Sequence, residues 1–127
     1  MNPVSLFRST PVRASSMIGA FVANRQGESL GVIKEIVIDP QSFKVAYVVV
    51  SFGGFLGMSG KLFAMPFALF KFSADKGVYI LDLAKEKLEM APGFDPDQWP
   101  SLADEKWHRG VFEYYGYQPW WEDVPVY

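Results

Sequence analysis

Cysteine is absent from the sequence and histidine occurs once. The first absence excludes disulfides, iron–sulfur clusters and thiolate zinc sites together. It also fits a reducing compartment, so the cytoplasm is the expected location. The second leaves His108 without a companion for a multi-histidine metal site inside one chain. Beside Arg109, on the polar side of an expected helix, His108 reads as a solvated residue. Positive charge is not in excess either, since 12 basic against 14 acidic residues give a net charge of −2. The chain thus lacks the bulk charge on which non-specific phosphate binding relies. Long hydrophobic runs are missing too. The one long uncharged stretch, between Lys44 and Lys61, falls short of the ~20 apolar residues of a spanning helix and carries several glycines. Residues 1–14 contain Arg8 and Arg13 but no continuous apolar core, and read as a flexible arm, neither a secretory signal nor a membrane span.

What the sequence does have is β-favouring and aromatic. With 127 residues, half of them hydrophobic, it is one domain's worth of chain and can bury a core without staples. Residues 18–22 and 30–38 flank Asn24-Arg25-Gln26-Gly27-Glu28, which predicts a hairpin. The apolar alternation slips at Lys34-Glu35, as at a bulge or in a strand with two partly covered faces, and Gly31 permits a bend or a close approach of backbones. Asp39-Pro40-Gln41-Ser42 reverses the chain. Residues 44–52 follow as a central strand covered on both faces. Residues 61–65 resume strand character up to Pro66, and residues 67–72 and 78–81 make a further pair across Ser73-Ala74-Asp75-Lys76-Gly77. The expected fold is mainly β: a small closed or partly open β-barrel of about six strands, with one or two short C-terminal helices.

After residue 82 the composition changes. Asp82 is placed to cap a short helix that buries Ala84, Leu88 and Ala91 and pairs Lys85 with Glu89; Pro92-Gly93 ends it. Ser101 and Asp104 resemble a variant capping box for a second helix. That helix carries Trp107, Val111 and Tyr114 on one face and ends at Gly116 in the left-handed conformation. The organisation read from these shifts is an arm over residues 1–14, a barrel over 15–82 and an aromatic-rich helical extension over 83–127, packing on the barrel or on a partner.

Gly27-Glu28 with Leu30-Gly31, Asp39-Pro40, the strand and glycine-rich loop of residues 45–57, and Leu62-Phe63-Ala64-Met65-Pro66 together resemble the PRC-barrel family. Ala91-Pro92-Gly93-Phe94 with Trp99-Pro100 is similar to the extension of its stand-alone bacterial members. The resemblance implies a β-barrel used as a docking or assembly module, as in the cytoplasmic domain of the photosynthetic reaction-centre H subunit and the C-terminal barrel of a ribosome maturation factor, and no conserved active site. Where similar sequences place glycine after the Asp-Pro turn, this chain has Phe43, which reads as an apolar tip on an altered turn.

No nucleophile, base and orienting group can be drawn together from these residues, so no catalytic, cofactor or metal site is expected and the chain reads as a non-enzyme. The loop of residues 53–60 misses the dinucleotide and Walker spacings, and Leu62 stands where a Ser or Thr would hold magnesium. Its Phe55, Leu56 and Met58 read instead as a contact patch. Aromatics form 17% of the chain, and those of the last stretch are too many for one helix face. Tyr115, Tyr117, Trp120 and Trp121, with Phe43, are therefore candidate contact residues. The expected function is a docking module acting through protein contacts, self-associating as a homodimer or small oligomer and meeting an unidentified protein. An RNA- or ribosome-associated role would need a basic patch from Arg8, Arg13, Arg25, Lys34 or Lys44. A small-ligand sensor would need a pocket with converging polar groups.

Overall fold

The computed structural model describes residues 11–53 and 60–123. A four-residue helix, α1 (Ala14–Met17), opens them, followed by β1 (Phe21–Ala23), β2 (Ser29–Ile38), β3 (Val45–Phe52) and β4 (Leu62–Met65). A 3-10 turn (Phe67–Leu69) leads into β5 (Phe70–Ser73) and β6 (Val78–Leu81). Then come α2 (Lys85–Glu89), α3 (Glu105–Tyr114) and a last 3-10 turn (Trp120–Asp123). The six strands form one sheet in the order β4-β3-β2-β1-β6-β5, curled into a half-barrel whose end strands do not pair. The architecture is the mainly β, partly open barrel expected from the strand count.

Local chemistry explains the ladder. Gly27, at φ 85°, turns β1 into β2, and the side-chain oxygen of Asn24 accepts from the backbone of Glu28 at 2.9 Å. Ile33 faces Val50 whereas Glu35 faces Val49, so Lys34 is the extra residue of a bulge. This lets Leu30 and Ile33, three apart, both face the core. Gly31 lies opposite Phe52, where any Cβ would collide with the carbonyl oxygen of Ser51. Residues 46–50 of β3 are all buried. Successive strand side chains point to opposite faces, so both faces must be covered. The curled sheet covers one; the C-terminal segment supplies the other, with α3 packed on β4 and the last 3-10 turn on β3.

Two connections lie outside local reach. β1 runs parallel to β6, with Val22 opposite Tyr79, and so joins the first hairpin to the last. The outer edge of β4 is engaged at its first residue: Leu62 and Phe94 exchange backbone hydrogen bonds of 2.8 and 2.9 Å in a single bridge. Among the described residues no strand covers the outer edge of β5.

Several boundaries differ from expectation. Residues 18–20 lie before β1, although Gly19 and Ala20 still exchange backbone bonds with Ile33. Residues 67–69 are a 3-10 turn, because buried Pro66 halts the strand and its carbonyl accepts from Leu69 at 3.2 Å. Asp82 does not cap α2, whose N-cap is Ala84 without a side-chain bond. It faces Arg25 at 3.4 Å instead. Lys85 and Glu89 do pair, at 3.9 Å, and Leu88 is fully buried. The cap of α3 is Asp104, whose carboxylate accepts from the backbone of Trp107 at 3.0 Å. Ser101 belongs to the preceding turn. Gly116, at φ 81°, ends α3 as expected. Tyr117 and Gly116 donate back to Phe112 and Glu113 at 3.0 Å each, the doubled bond of a left-handed helix stop.

Candidate functional site

Because the cap sits at Asp104, the inner stripe of α3 runs through His108, Val111, Phe112 and Tyr115, all buried. Trp107 and Tyr114 flank this stripe half-buried. His108 is therefore not the solvated residue its charge neighbours implied: it is 2% exposed. Its burial is tolerable because both ring nitrogens have partners. The Nδ1–H donates to the carbonyl of Asp104 at 2.7 Å, a bond only a protonated Nδ1 can make to a carbonyl. In the neutral ring, Nε2 then accepts from the hydroxyl of Tyr47 on β3, at 3.3 Å. Burial raises the pKa of Tyr47 above its ordinary value, which keeps the phenol a donor. The pair pins the helix to the central strand, and Trp120 stands against both rings at 5.3 and 5.7 Å.

Above this pair lies an open cleft of about 350 Å³, walled by Val37, Ile38 and Pro40 of the β2–β3 turn on one side and by Leu102 and Trp120 on the other. The polar groups at its floor are already bonded to each other, and its walls are apolar apart from Asp39, whose carboxylate is engaged by the backbone of Gln41 and the hydroxyl of Ser42. Trp120 and Ala46 also border a shallower neighbour that extends the apolar surface to Phe67 and Tyr117. Among the described residues no three acidic, His or Cys side chains gather as a metal set.

Phe43 stands on the turn that makes the near wall. The turn is drawn tight by Asp39, whose carboxylate accepts from the backbone of Gln41 and from the hydroxyl of Ser42, and whose carbonyl accepts from Phe43 at 2.8 Å. The turn keeps the left-handed geometry that suits glycine, because Phe43 has φ 60°. The expectation of an altered turn is corrected; the apolar tip is there, 84% exposed. A bulky residue in this region costs roughly 1–2 kcal/mol of backbone strain.

The other candidates divide. Tyr117 and Trp120 join this face. Trp121 sits half-buried, edge-on to Trp120 at 4.6 Å, with the Arg109 guanidinium 5.4 Å from its ring. Arg109 also pairs with Glu122 at 2.9 Å. Tyr115 is in the core, and its hydroxyl is buried without a hydrogen-bond partner. Burial first, and Tyr114 second, push its pKa well above the ordinary value. Phe55, Leu56 and Met58 lie outside the described residues, as does Arg8. Arg25 lies on the turn before β2 and Lys44 on the turn after it, at opposite ends of a strand whose ten residues span roughly 33 Å.

The sequence reading missed Leu102, Ile38 and the Tyr47–His108 pair. The signal for the last was present: residues 108, 111, 112 and 115 follow helical spacing once the histidine is counted with the apolar residues.

The cleft therefore has one wall from the barrel and one from the segment after it. A family model, the PRC-barrel domain, matches residues 10–88, well over half of the chain and inclusive of all six strands and the β2–β3 turn. No curated protein matches the chain. The half-barrel, the strand order and the extent of that match lead to one assignment: the chain belongs to the PRC-barrel domain family.

Proposed function

We propose that this chain is a non-catalytic docking module that acts through protein–protein contacts made at the face around the His108 cleft. PRC-barrel domains are β-barrel modules, often used for protein interaction, and the family is a non-catalytic one. The observation that carries the reading to this face is Phe43: a large aromatic side chain, 84% exposed, kept in a backbone conformation that penalises it. Folding gains nothing from that arrangement, whereas a contact surface does, since exposed aromatics return their burial only when a partner covers them. Leu102, 67% exposed, and Ile38 extend the same apolar surface. No helix of the described residues is long and apolar enough to cross a membrane, and the cytoplasmic setting expected from the missing cysteine belongs to the same proposal.

Phe43→Gly separates the two roles of the residue. Glycine accepts the left-handed turn but adds entropy to the unfolded chain, so stability stays unchanged or rises by about 1 kcal/mol. Contacts made through the ring are lost. Affinity purification from a host lysate, with ribonuclease and at two salt concentrations, compares the native chain with Phe43→Gly/Leu102→Ser. Proteins retained by the native chain through both treatments and lost from the variant are the expected outcome. Identical captures by the two chains would refute the reading, and ribosomal material released by ribonuclease would move the argument to RNA.

A further inference from the structure

The face around the cleft carries a knob and a hole side by side, and we infer that its occupant is a second copy of this chain: the Phe43 ring of each copy enters the cleft over His108 of the other. This rests on the contact-module reading and names its partner. A two-fold interface brings one patch against itself, so every protrusion must be matched by a recess on the same patch. Phe43 and the cleft meet that condition, because the turn carrying Phe43 supplies Ile38, Asp39 and Pro40 to the cleft wall. Size agrees as well. An apolar cavity of about 150 Å³ accepts a benzene ring, and the cleft holds about 350 Å³. At its floor the incoming ring meets the edges of Tyr47, His108 and Trp120, a setting in which aromatic pairs gain from geometry beyond the area they bury.

Area and charge point the same way. Phe43, Leu102, Ile38, Phe67 and Tyr117 together leave on the order of 500 Å² of apolar surface uncovered. A standard interface needs about 800 Å² on each side, roughly three-fifths of it apolar. Lys44 follows the knob directly in sequence, and Glu105, in the first turn of α3, lies three residues after Leu102 of the far wall. Both are exposed, and among the described residues neither has an ion-pair partner. A two-fold that seats Phe43 in the cleft carries Lys44 of each copy toward Glu105 of the other.

The test is sedimentation equilibrium of the purified full chain over a concentration series, with thermal unfolding of each variant as the control for folding. The native chain is expected to dimerise. Phe43→Gly should raise the dissociation constant by more than about 100-fold, since the residue acts twice in the interface, without lowering the melting temperature at concentrations where both chains are monomeric. Lys44→Glu should weaken the dimer, and Lys44→Glu combined with Glu105→Lys should restore it. A native chain that stays monomeric overturns the second-copy proposal alone and leaves this face to another protein. A dimer indifferent to both Phe43→Gly and Leu102→Glu overturns the proposal, because self-association then uses another surface, and the contact reading stands or falls on the capture experiment. A charge swap that fails to recover what Lys44→Glu lost overturns the orientation.

Discussion

Two buried tyrosines carry opposite liabilities, because the hydroxyl of Tyr47 donates to His108 whereas that of Tyr115 has no hydrogen-bond partner. An unpaired buried hydroxyl costs roughly 1–3 kcal/mol. Tyr115→Phe should therefore raise the free energy of unfolding by about 1 kcal/mol. Tyr47→Phe strands the Nε2 of His108 and should lower it by about 1–2 kcal/mol, both read from urea denaturation. The same residues, together with Tyr79, contribute to the alkaline limb. Their folded pKa values lie above the ordinary tyrosine value near 10. Above that pH the unfolded chain releases protons that the folded chain still holds. Stability is then full below pH ~10 and falls as pH rises further, by up to about 1.4 kcal/mol per pH unit for each such group. Tyr115→Phe should flatten that limb, and an unchanged slope in the variant would contradict the burial argument. At this scale the sequence is legible where a residue acts on its own neighbours, as Asp39 does in its turn. It is not legible where the partner is remote: nothing near His108 announces that Tyr47, 61 residues away, will meet its ring.

Among elements, the β2–β3 hairpin is the one whose geometry leaves least room for substitution. Its two strands approach at Gly31, where a methyl group would meet the backbone of Ser51 and Phe52. Backbone cannot swing aside as a side chain can. Gly31→Ala should cost about 3 kcal/mol and lower the midpoint of chemical unfolding with little change in slope. The glycine and the bulge beside it were both readable, because each leaves a mark in the local pattern: a missing side chain, and a slipped alternation at Lys34-Glu35. The parallel seam between β1 and β6 left none. Val22 and Tyr79 are ordinary strand residues, and only the closure of the sheet brings them together. The start of β5 was misplaced for a related reason. Phe67 and Leu69 favour a strand by composition, yet the buried ring of Pro66 directs the chain into a tight turn first.

For the molecule as a whole, the segment beyond the family match is part of the core. Val111, Phe112 and Tyr115 join the same buried cluster as β3, and α3 and the last 3-10 turn cover what would be the bare side of the central strand. Truncation after residue 90 should thus yield a chain that keeps strand content but loses fixed packing. A collapsed near-ultraviolet circular dichroism signal together with bound hydrophobic dye would record this. A truncated chain with native near-ultraviolet signal would show the cover to be dispensable. The aromatic excess of the last stretch required some of these side chains to pack, on the barrel or on a partner, without saying which. Which of them would face inward depended on the cap at Asp104, one turn of chain earlier.

The bond exchange between Leu62 and Phe94 also limits how these molecules can go wrong together. With Leu62 bridged to Phe94, the rim of β4 is already engaged at its first residue, whereas among the described residues no strand lies beside the rim of β5. Growth of the sheet is favoured at one end. Two copies that join β5 to β5 cover that rim in each other, and a third must compete with residue 94 to attach. Mispairing through the described strands is thereby biased toward pairs and away from fibres for as long as residue 94 keeps its place.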